Sequence, residues 1–258
     1  MSQNNIILET RSLRKVFGGL VAVDDVSIQI ERGSTHSIIG PNGAGKTTFF
    51  NLLTGKYKPT QGEVSFNGRD ITRLPVHQRA HLGIGRSFQI TNIFPNLTVL
   101  ENTRLAIQAL QGASFHFWRR TDSLTTYVER ALVILERLGL SAQADSPANV
   151  LPHGGKRKLE LAILMASNAQ LLLLDEPTAG MASEQVPELM NIIGEIIADG
   201  DRTIVMVEHN MDIVMGISDR ITVMSMGRVL TEGTPAAIAA DKTVQNVYLG
   251  GLYELGES

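Results

Sequence analysis

Cysteine is absent from the 258 residues, so neither a disulfide nor a thiolate metal site can hold this fold, which suits the cytosol. Long hydrophobic runs are missing too. The longest, 171–174 and 203–207, are the size of buried strands, far below the ~18–20 residues that cross a bilayer as a helix; the chain is expected not to span a membrane by itself. Residues 1–10 lack the basic segment and apolar core of a secretory signal. Charge of one sign is also lacking: 23 Lys and Arg stand against 26 Asp and Glu, for a net charge of -3. With no basic stripe or block, no nucleic acid partner is expected. We find no repeat, low-complexity tract or long linker.

What is present is a globular composition, 43 % hydrophobic and 19 % charged, long enough for one large or two small domains with a sizeable core. Within it, Gly40-Pro41-Asn42-Gly43-Ala44-Gly45-Lys46-Thr47, followed by Thr48, lies between the apolar Ser37-Ile38-Ile39 and an expected helix beginning near Lys46. The spacing G-x-x-x-x-G-K-T lets a loop wrap an oligophosphate with its backbone N–H groups, because Gly40, Gly43 and Gly45 bring no side chain into the way. The helix N-terminus adds its positive end, Lys46 reaches the terminal phosphates, and the Thr47 hydroxyl can ligate Mg²⁺.

The flanking pattern predicts strands at 6–10, 26–30 and 62–68. From Thr98 the period changes to a helical one. Thr98-Val99-Leu100-Glu101 has the form of a capping box, Ala106, Ile107 and Leu110 continue the face, and a second helix over 124–138 carries Val128, Leu132, Leu135 and Leu138. Leu159, Ala162, Ile163 and Ala166 mark a third. Then Leu171-Leu172-Leu173-Leu174-Asp175 is all apolar up to its acid, a strand buried on both faces of a parallel sheet. A helix at 184–198, a strand at 203–207, a helix at 211–217 and a strand at 220–225 continue a βαβ rhythm, and Thr234-Pro235 opens a short helix.

Asp175, at the C-terminal end of its strand, stands where a magnesium-coordinating carboxylate belongs beside a phosphate loop, and Glu176 is free to accept a proton from an attacking water. With the phosphate loop, Gln89 after Arg86-Ser87-Phe88, Pro177-Thr178 after the acidic pair, and His209 after Val205-Met206-Val207-Glu208, the chain resembles the nucleotide-binding subunits of ABC transporters over essentially its whole length. The resemblance implies an α/β fold: a P-loop NTPase (RecA-like) core with an N-terminal antiparallel β subdomain (1–88 and 169–232), a helical subdomain insert (89–168) and a C-terminal helical extension (233–258). It implies ATP and Mg²⁺ as cofactors. Gln89 would sense Mg²⁺ and the attacking water, His209 would contact the γ-phosphate, and Phe17 would stack on adenine.

One segment departs from the family. Where L-S-G-G-Q usually closes over a partner subunit's ATP, this chain reads Leu151-Pro152-His153-Gly154-Gly155. Gly154 and Gly155 can still offer backbone N–H groups, but Pro152 has neither hydroxyl nor N–H. Ala182 also stands where an acid or amide is usual. Within the family, Phe94-Pro95-Asn96-Leu97-Thr98, the insert around Trp118-Arg119-Arg120 and the ending Val247-Tyr248-Leu249-Gly250 are similar to importers of branched-chain amino acids and related amides or urea. That branch implies a second ATPase subunit, membrane permease subunits docked near 88–98, and indirectly a periplasmic or extracellular solute-binding protein, with this chain peripheral on the cytoplasmic face of the inner membrane. Lipid or lipopolysaccharide exporters share the nucleotide motifs, and a soluble ABC protein outside transport is a third possibility.

Overall fold

The computed structural model describes residues 5–87, 93–109 and 121–253. At the N-terminal end, β1 (Ile6–Phe17), β2 (Leu20–Val26) and β3 (Gln29–Glu31) turn back on one another, and β4 (Thr35–Ile39) leads into α1 (Lys46–Leu53). After α1 come β5 (Gln61–Phe66), β6 (Arg69–Asp70), α2 (Val76–His81) and β7 (Ile84–Arg86). Strands β1, β2, β3, β5 and β6 form one antiparallel sheet. The strand expected at 26–30 is divided between β2 and β3, both lying along β1. At the division the Thr10 hydroxyl donates to the Val26 carbonyl (3.1 Å) and accepts from the Ile28 N–H (3.0 Å), standing in for the ladder. Val26, Ile28 and Ile30 stay buried through the break, which is why the period-two pattern could not reveal it.

The helical block holds α3 (Val99–Ala109), α4 (Thr121–Arg137) and α5 (His153–Ala166). Only half of the expected capping box forms: the Glu101 N–H donates to Thr98 Oγ1 at 3.0 Å, but the Glu101 carboxylate turns to Arg104, at 2.7 Å. The buried stripe of α4 is Tyr127, Ala131, Leu135 and, just beyond, Leu138, whereas Leu132 is exposed. Stepping by four from Tyr127 leaves Leu132 and Val133 on the far side of the helix.

Beyond α5 follow β8 (Leu171–Asp175), α6 (Val186–Ala198), β9 (Thr203–Val207), α7 (Met211–Ile217), β10 (Arg220–Ser225), β11 (Arg228–Gly233), α8 (Pro235–Ala240) and α9 (Lys242–Tyr253). The helix expected from 184 begins instead with a short 3₁₀ turn, Ser183–Gln185, because Pro187 suits the first turn of α6. The second sheet runs β11-β10-β4-β9-β8-β7, parallel except for its edge strand β11. Leu171, Leu173, Val205 and Val207 join one core with Phe49 and Phe50 of α1. Leu172, Leu174, Ile204 and Met206 join another with Leu159 of α5 and Ile193 of α6. Burial on both faces, as read from the leucine run, anchors the loop after β8 in a rigid floor.

Two buried polar groups brace that floor. The Arg79 guanidinium donates to the carbonyls of Leu52, Leu53, Thr72 and Leu74 at 2.6–3.0 Å, closing the C-terminal end of α1. Burial lowers its pKa to about 10, so it stays charged at neutral pH. Arg79→Met leaves the Leu53, Thr72 and Leu74 carbonyls without the guanidinium donors in a buried site, while the Leu52 carbonyl keeps the Gly55 N–H (3.2 Å). We expect a loss on the order of 3 kcal/mol or more in urea unfolding; a loss below 1 kcal/mol would show that solvent replaces the guanidinium.

His36, wholly buried on β4, has Nε2 2.7 Å from Thr222 Oγ1. That hydroxyl donates to Glu232 Oε2 (3.0 Å), so Nε2 carries the hydrogen and Nδ1, which makes no hydrogen bond, is bare. Burial, partly offset by Glu232 and reinforced by Arg220, lowers its pKa from 6.5 to about 4. The unfolded chain therefore binds the proton first as pH falls. This contribution to stability is complete above pH 6.5 and is lost progressively toward pH 4, amounting to roughly 3 kcal/mol. His36→Gln, which keeps the donor to Thr222 without a titrating group, should flatten the stability curve in that window. Parallel curves for the two proteins would refute the assignment.

Candidate functional site

Three loops meet at the C-terminal ends of β4, β8 and β9, the edge of a parallel sheet at which ligands bind. The loop after β4 holds Gly40, Gly43 and Gly45 at φ of 150°, 79° and 96°. A Cβ on Gly40 would fall on the Met224 carbonyl oxygen, and one on Gly45 on that of Ala22. The loop is thus pressed against β10 at Gly40 and against β2 at Gly45, with no room for a side chain at either position, whereas Gly43 is required by its positive φ alone. Gly45 is the N-cap of α1 without any side-chain cap, so the first-turn N–H groups of Lys46, Thr47 and Thr48 have no helical acceptor and face the concave side, with Asn42 and Gly43 exposed at the rim.

Lys46 lies across this cradle, its ammonium donating to the carbonyls of Gly40 (2.5 Å) and Pro41 (3.0 Å). Two of its three donors are engaged and one remains for an anion. Burial lowers its pKa, while Glu176 and Asp175 act in the opposite direction. A desolvated cation beside a ring of N–H groups fits a triphosphate. The Thr47 hydroxyl and the Asp175 carboxylate are hard oxygen donors of the type that Mg²⁺ takes in small number beside several waters, so they would suit that ion.

Asp175 is fully buried and held on two sides. Arg86 donates to its Oδ2 at 2.8 Å while its other arm reaches Asn51 Oδ1 of α1 at 2.6 Å, and the Asp175 N–H donates to Ser87 Oγ at 3.1 Å. Glu176 has φ 49°, a left-handed backbone that costs a glutamate of the order of 1 kcal/mol and persists where surrounding contacts impose it. Its N–H donates to the Val207 carbonyl (2.9 Å), and its Oε1 lies 3.0 Å from His209 Nε2. The two residues read from the sequence as base and phosphate contact are therefore neighbours, although 33 positions apart.

Phe17, at the end of the β1–β2 hairpin, is 40 % exposed. Its ring meets Tyr57 edge-on (centroids 5.3 Å apart, 77°), with Lys15 Nζ 4.9 Å from its centroid. Gln89 lies outside the described residues, as do Phe88, Leu110 and Trp118-Arg119-Arg120. Gly154 and Gly155 are in the first turn of α5, whose N-cap is Pro152, again without a side-chain cap. They border a separate cavity of about 150 Å³ with Met181 and Gln185, so the fold does not deliver them to the Lys46 cradle of the same chain.

Two contributors escaped the sequence reading. Arg86 counted there only as part of the run leading into Gln89, yet it is a cation at the end of the short strand β7, next to the carboxylate at the end of β8. Glu208 counted only as a spacer before His209. Its signal is that it follows a strand that is apolar after its first residue, Thr203, much as Glu176 follows the leucine run and Asp175.

A glycine cradle before α1, a buried strand ending in Asp175, and Glu176 against His209 define a P-loop nucleotide hydrolase. The chain matches the family described as ABC transporter over residues 23–179, and that described as branched-chain amino acid ATP-binding cassette transporter over residues 228–253. It belongs to the ABC transporter ATP-binding family and is an ATPase. Among relatives, it is 41 % identical over 249 residues to the high-affinity branched-chain amino acid transport ATP-binding protein LivG of Salmonella typhimurium, covering 95 % of this chain and 98 % of LivG. It is 38 % identical to BraF of Pseudomonas aeruginosa (95 % and 98 % covered). It is 33 % identical to the lipopolysaccharide export protein LptB of Acidithiobacillus ferridurans (96 % and 99 %). Among solved structures it is similar to the ADP conformation of the cassette MJ1267, with TM-score 0.80, 32 % identity, and coverage of 95 % and 99 %. It is also similar to the dimeric post-hydrolysis cassette MJ0796 bound to ADP and Pi, with TM-score 0.76, 26 % identity, and coverage of 89 % and 99 %.

Proposed function

We propose that this chain binds MgATP in the cradle of residues 40–48 and hydrolyses it with Glu176 as general base, driving import of branched-chain amino acids through membrane permeases. The carrying observation is that Lys46, buried in the phosphate loop, sits under the influence of both Asp175 and Glu176, with His209 beside the latter. When bound, Mg²⁺ would supply positive charge to the phosphates; Thr47 and Asp175 would hold it, and the family resemblance adds Gln89 to them. Glu176 takes the proton from the attacking water, His209 orients Glu176 and reaches toward the terminal phosphate, and Phe17 offers a face to adenine.

A second ATPase subunit completes each site, with Gly154 and Gly155 serving the partner's nucleotide. Permeases would dock on the side of β7, where a largely apolar cavity of about 230 Å³ is lined by Val76, Ala80, Ile84, Ile163 and Leu164. No described helix is long and apolar enough to cross a membrane; in this reading the permeases hold the chain at the cytoplasmic face. Solute specificity resides in them and in an external binding protein.

The test is uptake of labelled leucine, isoleucine and valine by cells deleted for this chain. We expect uptake at low solute concentration to be lost, and restored by the wild-type chain but not by Glu176→Gln. Unchanged uptake, together with a defect in lipopolysaccharide delivery, would move the chain to the export reading that its likeness to LptB suggests.

A further inference from the structure

Glu208 is 4 % exposed at the end of β9, and a carboxylate that deep must be compensated by donors. Its two oxygens divide the work. Oε1 accepts from the Thr178 N–H (3.1 Å) and the Thr178 hydroxyl (2.6 Å), both in the loop after β8. Oε2 accepts from the N–H groups of His209 (3.0 Å) and Asn210 (3.5 Å), in the loop after β9. One side chain thus ties together the loops that carry Glu176 and His209. We infer that Glu208 is a positioning residue for hydrolysis, a carboxylate clamp that fixes Glu176 against His209 without touching the nucleotide.

The geometry explains how Glu176 keeps its left-handed backbone. That conformation persists only if the chain is held on both sides. The hydrogen bond of Glu176 to the Val207 carbonyl holds one side, and the Thr178 anchor on Glu208, two residues on, holds the other. An acceptor is needed at both ends of the clamp. A glutamine of the same shape would turn its NH₂ toward an N–H on one side, two donors facing each other, so one loop must let go. The loops would then separate by a fraction of an ångström, enough to disturb a base that must meet a water in line.

This inference rests on Glu176 being the base, so the experiment includes Glu176→Gln as a reference. Glu208→Gln, Thr178→Val and their combination are made in the full-length chain, and kcat and KM for ATP are measured beside equilibrium binding of a fluorescent ATP analogue. Loss of a charge-assisted bond that acts only on the chemical step predicts that E208Q lowers kcat about tenfold or more, with KM and analogue affinity within about twofold. T178V should lower kcat by about threefold, and the double variant should be no slower than E208Q. Unchanged kcat in E208Q, affinity falling in step with kcat, or a double variant that multiplies the two losses would each overturn the clamp. If E208Q does not fold, T178V decides alone, and wild-type kcat there overturns it. Retained turnover in E176Q would instead bring down the underlying reading of the base.

Discussion

Glu176→Gln is expected to lower ATP turnover by at least about 100-fold while leaving nucleotide affinity intact, the magnitude that a general base contributes. The amide keeps the length and shape of the carboxylate and can still bond His209 Nε2, now 3.0 Å away, so the loop should not rearrange. What it loses is the capacity to take a proton from water. Steady-state phosphate release, measured beside ATP binding, checks this. Turnover within threefold of wild type would show that the proton goes elsewhere. The assembled transporter sharpens the prediction. In a heterodimer whose other subunit carries an intact L-S-G-G-Q, the site that combines this chain's Lys46 and Glu176 with that segment would have a full set of donors. The reciprocal site would rely on Gly154 and Gly155 behind Pro152, with no serine hydroxyl. A missing phosphate hydrogen bond of roughly 1.5 to 3 kcal/mol would slow that site about tenfold or more. The loss from Glu176→Gln in this subunit should therefore exceed the loss from the equivalent change in a partner.

Lys46→Ala should raise the dissociation constant for ATP about 100-fold or more, as expected when a desolvated ammonium no longer makes charge-assisted bonds to phosphate. The reason lies in the cradle itself. The side chain is 6 % exposed and is held over the loop by the Gly40 and Pro41 carbonyls, so its position is set in advance and little ordering accompanies binding. Isothermal titration with MgATP measures the change, and urea unfolding controls for the fold. Affinity within threefold of wild type would mean that the N–H groups alone hold the triphosphate.

The phosphate cradle was legible because it is contiguous. Glycine spacing, the lysine and the helix start all report on one short loop, and backbone sterics leave few other readings. The run Leu171 to Leu174 told of burial on both faces since no residue in it could face water, and its acidic ending marked the site. Helix α4 shows where pattern reading falters: Leu132 fits a three-four spacing, yet Tyr127 and Ala131 share the buried stripe, because an apolar pattern offers overlapping faces and packing chooses one. The β2–β3 break is similar, for the Thr10 hydroxyl that bridges it lies on another strand.

By itself the sequence determined the class of chemistry, since a loop of fixed spacing, a strand-end carboxylate and an adjoining acid are local patterns with local causes. The tertiary structure decided which partners these groups have. It put His209 on Glu176, Arg86 on Asp175, Glu208 between two loops and Arg79 under α1, all contacts between residues far apart in the chain. A buried charge is tolerated only where the fold supplies its counterpart, and such pairings depend on strand order and register, which no short stretch of sequence encodes.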